Sequence, residues 1–127
     1  MNEVTSEWVF KAEEDFYSAD MLLHTVDVPM ASIASFHCQQ CAEKYLKAFL
    51  QEHRVRFERT HVLMSLLDLC VSIDRDFGKL GNDLNSLDAY AVAVRYPGAK
   101  VSVELAEAAF EAAKRVRKFV RSKIGIK

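Results

Sequence analysis

Apolar residues recur at three- and four-residue intervals almost from end to end of this chain, and no segment alternates for the length of a strand. The first helix is expected to begin near Thr5 or Ser6, whose hydroxyls can accept from free N–H groups. Its apolar face reads Trp8, Ala12, Phe16, Ala19, Leu22 and Leu23. The stretch from Val26 to Pro29 breaks the pattern, because proline disfavours helical geometry in the residue before it. A second, longest helix runs from about Met30 to Arg54, with Ile33, Phe36, Tyr45, Ala48 and Phe49 as its apolar contacts. Thr60 is a suitable N-cap for a third helix that buries Leu63, Leu66, Leu67 and Cys70. Ser72 to Gly81 reads as a loop with one short turn around Phe77, and a fourth helix follows Asn82 with Leu84, Leu87, Ala91 and Val94 inward. Tyr96-Pro97-Gly98-Ala99 has the composition of a type II turn. Ser102 then caps a last helix that ends near Ile124. The pattern predicts an all-α, up-and-down bundle of four main helices plus a short fifth, in one domain over residues 1–127.

Composition narrows the class. The chain has 127 residues, half of them apolar and 28% charged, which suits one buried core and argues against disorder. No apolar run reaches the roughly 18–20 residues of a membrane span, and the first residues lack the pattern of a signal peptide. Three cysteines (Cys38, Cys41, Cys70) make no disulfide framework and point to a reducing, cytoplasmic setting. Charge is uneven: residues 99–127 hold 8 Lys/Arg against 3 Asp/Glu, although the whole chain is −1.

The second helix carries a polar row in which Gln40, Glu43 and Lys47 share a face. On spacing alone it reads first as a solvated stripe with one ordinary ion pair. Cys38-Gln39-Gln40-Cys41 has C-x-x-C spacing but lies inside a helix, so two buried thiols are expected rather than redox chemistry. The four histidines (His24, His37, His53, His61) show no metal-ligand spacing, and no phosphate-binding glycine loop or serine elbow is present. Neither a metal nor a cofactor is expected. In the last helix Lys114, Arg117, Lys118 and Arg121 follow the acids, an order that suits the helix dipole. The same four residues also make a candidate phosphate stripe for RNA or a nucleotide. Arg95, with Tyr96 beside it, ends the fourth helix next to the start of the last.

Several stretches together resemble the HEPN family of small helical proteins. They are Trp8, Ala12 and Asp15; the run from Phe36 to Lys47; Thr60-His61; and Arg95-Tyr96-Pro97-Gly98. The resemblance implies a bundle that dimerises and works with a minimal nucleotidyltransferase in a two-component, toxin–antitoxin-like module. It further implies nucleotide binding or metal-independent ribonuclease activity. Ribonuclease members carry an arginine and, with four to six residues between, a histidine near the last helix. No histidine follows Arg95; the spacing is met only by Arg54 or Arg56 with His61. The expected function is therefore a non-catalytic or weakly catalytic nucleotide-binding or partner-binding dimer, with Gln40, Glu43, Lys47, Arg95 and Tyr96 as ligand-binding candidates. The alternatives are an endoribonuclease toxin using Arg95 and His61, and a purely structural dimerisation module.

Overall fold

A computed structural model describes residues 1–93, 97–98 and 100–127 of the chain. The chain forms α1 (Glu3–His24), α2 (Ala31–Glu52), α3 (Leu63–Ile73), a 3-10 segment (Arg75–Leu80), α4 (Gly81–Ala93) and α5 (Val103–Lys123). The all-α bundle of four longer helices and a short one is present: α3 has 11 residues, against 13 for α4 and 21 or 22 for the others. Among the described residues no helix is long and apolar enough to cross a membrane.

The central element is α2, which packs against α1, α3, α4 and α5. Its second half is almost wholly inward: Tyr45, Leu46, Ala48 and Leu50 expose nothing, and Phe49 nearly nothing. Ala12 and Ala19 of α1 and Cys38, Cys41 and Ala42 of α2 are fully buried, and side chains this small allow close helix approach. The turn expected around Phe77 is the 3-10 segment, and Phe77 plugs the core with its ring 4.2 Å from that of Phe49 and 5.0 Å from that of Phe119. Filling this end with three aromatic rings contributes both buried area and edge contacts.

Two helix starts differ from expectation. Asn2, not Thr5 or Ser6, caps α1; its Oδ1 accepts from the Thr5 N–H at 2.8 Å, and Thr5 is buried. Thr60 does not cap α3. Its hydroxyl accepts from Val62 N–H, while Asp88 of α4 reaches across to take the N–H groups of Leu63 and Met64. A carboxylate at the positive end of a helix is favourable whichever element supplies it. Ser102 caps α5 as expected, accepting from Leu105 N–H. Ile33, expected inside, is 42% exposed. Val94, Arg95, Tyr96 and Ala99 lie outside the described residues, so the expectations for Arg95, Tyr96 and most of the turn fall there; Gly98 has the positive φ, 91°, that the turn reading requires.

Candidate functional site

The polar row of α2 is not a solvated stripe. Gln39, Glu43 and Lys47 are buried, with Glu43 at 2% exposure and Lys47 at 6%. One oxygen of Glu43 accepts from Lys47 Nζ at 3.1 Å, and the other lies 2.9 Å from His61 Nδ1. The ammonium of Lys47 also sits 5.4 Å from the Trp8 ring centre and 5.8 Å from that of Phe57, a partial aromatic enclosure for a desolvated cation. The helical register explains the pairing, since residues four apart lie over one another. Burial then makes the pair obligatory, because removing either charge leaves the other desolvated and alone.

His61 is brought to this pair by the α2–α3 connection. Gln39 Nε2 donates to the His61 carbonyl at 2.8 Å, and Gln40 donates to Gln39, so two α2 amides fix the backbone from which the ring projects. Facing a carboxylate oxygen, Nδ1 carries the proton, and the neutral ring then has its lone pair on Nε2. The His61 side chain is 67% exposed, and Nε2 makes no hydrogen bond among the described residues. A carboxylate-backed imidazole with its second nitrogen in solvent can bind a phosphate oxygen when protonated or take a proton when neutral.

A second buried carboxylate is Asp15 of α1. His37 Nδ1 lies 2.8 Å from one of its oxygens and Lys44 Nζ 2.5 Å from the other. Asp15 thus ties α1 to two positions on α2.

Two of the four residues of the candidate stripe on α5, Arg117 and Arg121, are engaged in holding the bundle. Arg117 makes a two-pronged pair with Glu13 of α1, both bonds at 2.7 Å, and its guanidinium lies 4.6 Å from the Phe16 ring centre. Arg121 lies 3.3 Å from Glu13 and donates to the hydroxyl of Tyr45, which itself donates to Glu13. Burial alone would raise the Glu13 carboxyl; the hydrogen bonds from Arg117 and Tyr45 and the two arginine charges outweigh it and hold Glu13 below the usual carboxylate range. Burial, then the bond to Glu13, raises the Tyr45 hydroxyl. Lys114 pairs loosely with Glu111, and Lys118 is exposed with no ion pair among the described residues. The four residues edge an open depression of about 710 Å³.

The three cysteines are free and buried, as expected. Burial pushes the thiols of Cys38 and Cys70 up to about 12 and that of Cys41 well above its ordinary value, which disfavours thiolate chemistry. Among the described residues no group of three or more His, Cys, Asp or Glu is placed to hold a metal ion.

The geometry joins Glu43, Lys47 and His61 directly, with Gln40 linked to them only through Gln39, whereas Lys114, Arg117 and Arg121 pair with Glu111, Glu13 and Tyr45. Sequence reasoning misses Asp15 with His37 and Lys44, Glu13 as the anchor of α5, and the exposure of Arg59 together with Arg54 and Arg56, which it notes only for their spacing to His61. The last group has a plain signal: residues 53–61 read His-Arg-Val-Arg-Phe-Glu-Arg-Thr-His.

Comparison with known proteins agrees with the fold. No curated protein matches the chain. An archaeal HEPN homologue, ST0689, has a crystal structure that superposes with a TM-score of 0.77 at 24% identity, over 98% of this chain and 99% of that one. The crystal structure of TT1696 from Thermus thermophilus superposes with a TM-score of 0.75 at 27% identity, over 97% of this chain and 99% of that one. The family model for the HEPN domain matches residues 5–123, and the chain therefore belongs to the HEPN family.

Proposed function

We propose that this chain binds a nucleotide or an RNA phosphate at the Glu43–Lys47–His61 site, as the helical component of a two-component module. The observation that carries the reading is the exposed Nε2 of His61, held in place by a buried carboxylate whose charge Lys47 offsets. With Nδ1 engaged by Glu43, Nε2 is the ring nitrogen left to meet an anion. Gln40, half-buried and bonded to the Gln39 amide that holds the His61 backbone, is the further amide for ligand recognition. Titration calorimetry with AMP tests it: heat of binding is expected for the wild type. His61→Ala is expected to abolish that heat, and its persistence in the variant would overturn the site.

The same imidazole favours a second reading, a metal-independent endoribonuclease in which Nε2 takes the proton of a 2′-hydroxyl. Cleavage of a defined tRNA in EDTA, lost with His61→Ala, would establish it. Identical RNA integrity with wild type and variant would remove it.

For assembly, the reading is a homodimer through α1, whose Phe10, Tyr17 and Met21 lie on one face and are each more than half exposed. Light scattering is expected to give twice the chain mass, and Tyr17→Glu with Met21→Glu to give a monomer. The family likeness supports a minimal nucleotidyltransferase as the partner protein, a cytoplasmic setting, and residues 1–127 acting as one unit.

A further inference from the structure

The α2–α3 connection holds a group of cations with no ion pair among the described residues. Arg54, Arg56 and Arg59 are all exposed, and none makes an ion pair or a side-chain hydrogen bond among the described residues. Arg54 is also strained. It occupies the position just past the end of α2 with φ 56°, and its N–H and that of Val55 close the helix by bonding to the carbonyls of Gln51 and Leu50. Glycine is the usual residue there. The equivalent position at the end of α5 is Gly125, with φ 80° and the same pair of backbone bonds. A strained arginine where glycine fits better points to a use for its guanidinium.

Beside the arginines lies a cleft of about 390 Å³, within the size range of small-ligand sites. Phe57 and Leu69 form its apolar sides over Leu66, and Arg56, Thr60 and Ser65 edge it with donors. Glu58, also on the wall, is an acceptor for an exocyclic amine or a sugar hydroxyl. Phe57 is shared with the Lys47 enclosure, and Thr60 directly precedes His61 in the chain.

We infer that this connection is a track for single-stranded nucleic acid leading away from His61, with phosphates on Arg54, Arg56 and Arg59 and one base seated in the cleft against Phe57 and Leu69. The inference rests on the phosphate-binding reading above and extends it from a single phosphate to a strand. A cleft with apolar sides, edged by hydrogen-bonding groups and cations, suits a stacked base with its backbone better than an acidic peptide.

The test is fluorescence anisotropy of a labelled ten-residue oligouridylate across a salt series, with AMP calorimetry run alongside. Three phosphate contacts predict a log–log salt slope of about −2 for a single strand. Arg54→Gln/Arg56→Gln/Arg59→Gln is expected to remove that contribution of about −2 from the slope and weaken binding by roughly tenfold, with AMP heat retained. Ser65→Trp, which fills the cleft from an exposed position, is expected to weaken binding without changing the slope. Unchanged affinity and slope in the triple variant would overturn the track while leaving AMP binding to stand. Arginine-dependent strand binding without AMP heat would strike the mononucleotide reading alone. Displacement of the strand by deca-glutamate as readily as by unlabelled oligouridylate would overturn the nucleic-acid assignment in favour of an acidic protein surface.

Discussion

Arginine is concentrated in two regions that behave oppositely. On α5, Arg117 and Arg121 lie four residues apart on one face, and Glu13 and Tyr45 meet them there. In the α2–α3 connection Arg54, Arg56 and Arg59 face water, with no carboxylate against any of them among the described residues. The α5 stripe has the higher local charge and the more regular spacing, yet its arginines are neutralised by a carboxylate from another helix. A count of cations along a sequence therefore locates charge but not availability. Availability depends on whether the fold delivers a counter-charge, and here α1 delivers one to α5 and none to the connection.

The harshest test of that distinction removes a counter-charge in the interior. Glu43→Leu strands the buried ammonium of Lys47 and frees His61, and is expected to cost about 3–5 kcal/mol in urea denaturation. Lys47→Met added to it is expected to recover most of that loss, because the burden is the unpaired charge rather than the missing carboxylate. A double variant as unstable as the single one would mean that Glu43 acts chiefly through His61.

Next in size, Glu13→Gln breaks the comparison directly by turning neutralised arginines into unpaired ones. Losing charge-assisted bonds to Arg117, Arg121 and Tyr45 is expected to cost about 2 kcal/mol. The stripe should then bind oligouridylate with a steeper salt slope than the wild type shows. The pH dependence has a definite sign. Glu13 is held below its ordinary range in the folded chain, so its contribution is present above the unfolded value and is lost as pH falls through the folded one. Acid denaturation of Glu13→Gln should accordingly lack that part of the stability loss. An unaltered acid limb would locate the loss at other carboxylates.

The fold is largely legible in the sequence because helix periodicity is a local signal: the spacing of Leu63, Leu66, Leu67 and Cys70 announces a buried face without knowledge of its neighbours. Starts are less so, since Asp88, 25 residues from Leu63, caps α3, and only the bundle puts the two together. The site is half legible. Gln40, Glu43 and Lys47 are visible at helical spacing, but their burial depends on Trp8 from α1 and Phe57 from the connection closing over Lys47. His61 is visible as a histidine next to Thr60; its bond to Glu43 spans 18 residues. The α5 stripe reads as an open surface for the same reason, Glu13 being 104 residues from Arg117.

A smaller effect, of opposite sign, is expected at the strained end of α2. Arg54→Gly relieves a left-handed conformation costing about 1–2 kcal/mol. The added freedom of glycine in the unfolded chain takes back about 0.5–1 kcal/mol. A net gain of roughly 0.5–1 kcal/mol in unfolding free energy, together with weaker oligouridylate binding, would show stability and binding opposed at one residue. Greater stability with unchanged binding would mean that the strain has no use at Arg54.

The smallest effect belongs to a cation whose neutralisation depends on pH. His24, at the end of α1, has Nδ1 2.6 Å from Asp20 and Nε2 2.7 Å from Glu107 on α5, with Phe110 edge-on to the ring. The hydrogen bond to Asp20, then that to Glu107, raises its proton affinity above the ordinary histidine value against the opposing cost of burial. A raised folded value means that the stabilisation is complete below the unfolded value and is lost as pH rises through the folded one. The wild-type melting temperature should therefore carry a shallow decline across that window, and His24→Gln should flatten it. The amplitude is expected to be slight, because the side chain is 38% exposed and water screens both contacts. Added salt should shrink it further. A decline that persists in His24→Gln, undiminished by salt, would assign the titration to another group and leave His24 as a packing contact for Phe110.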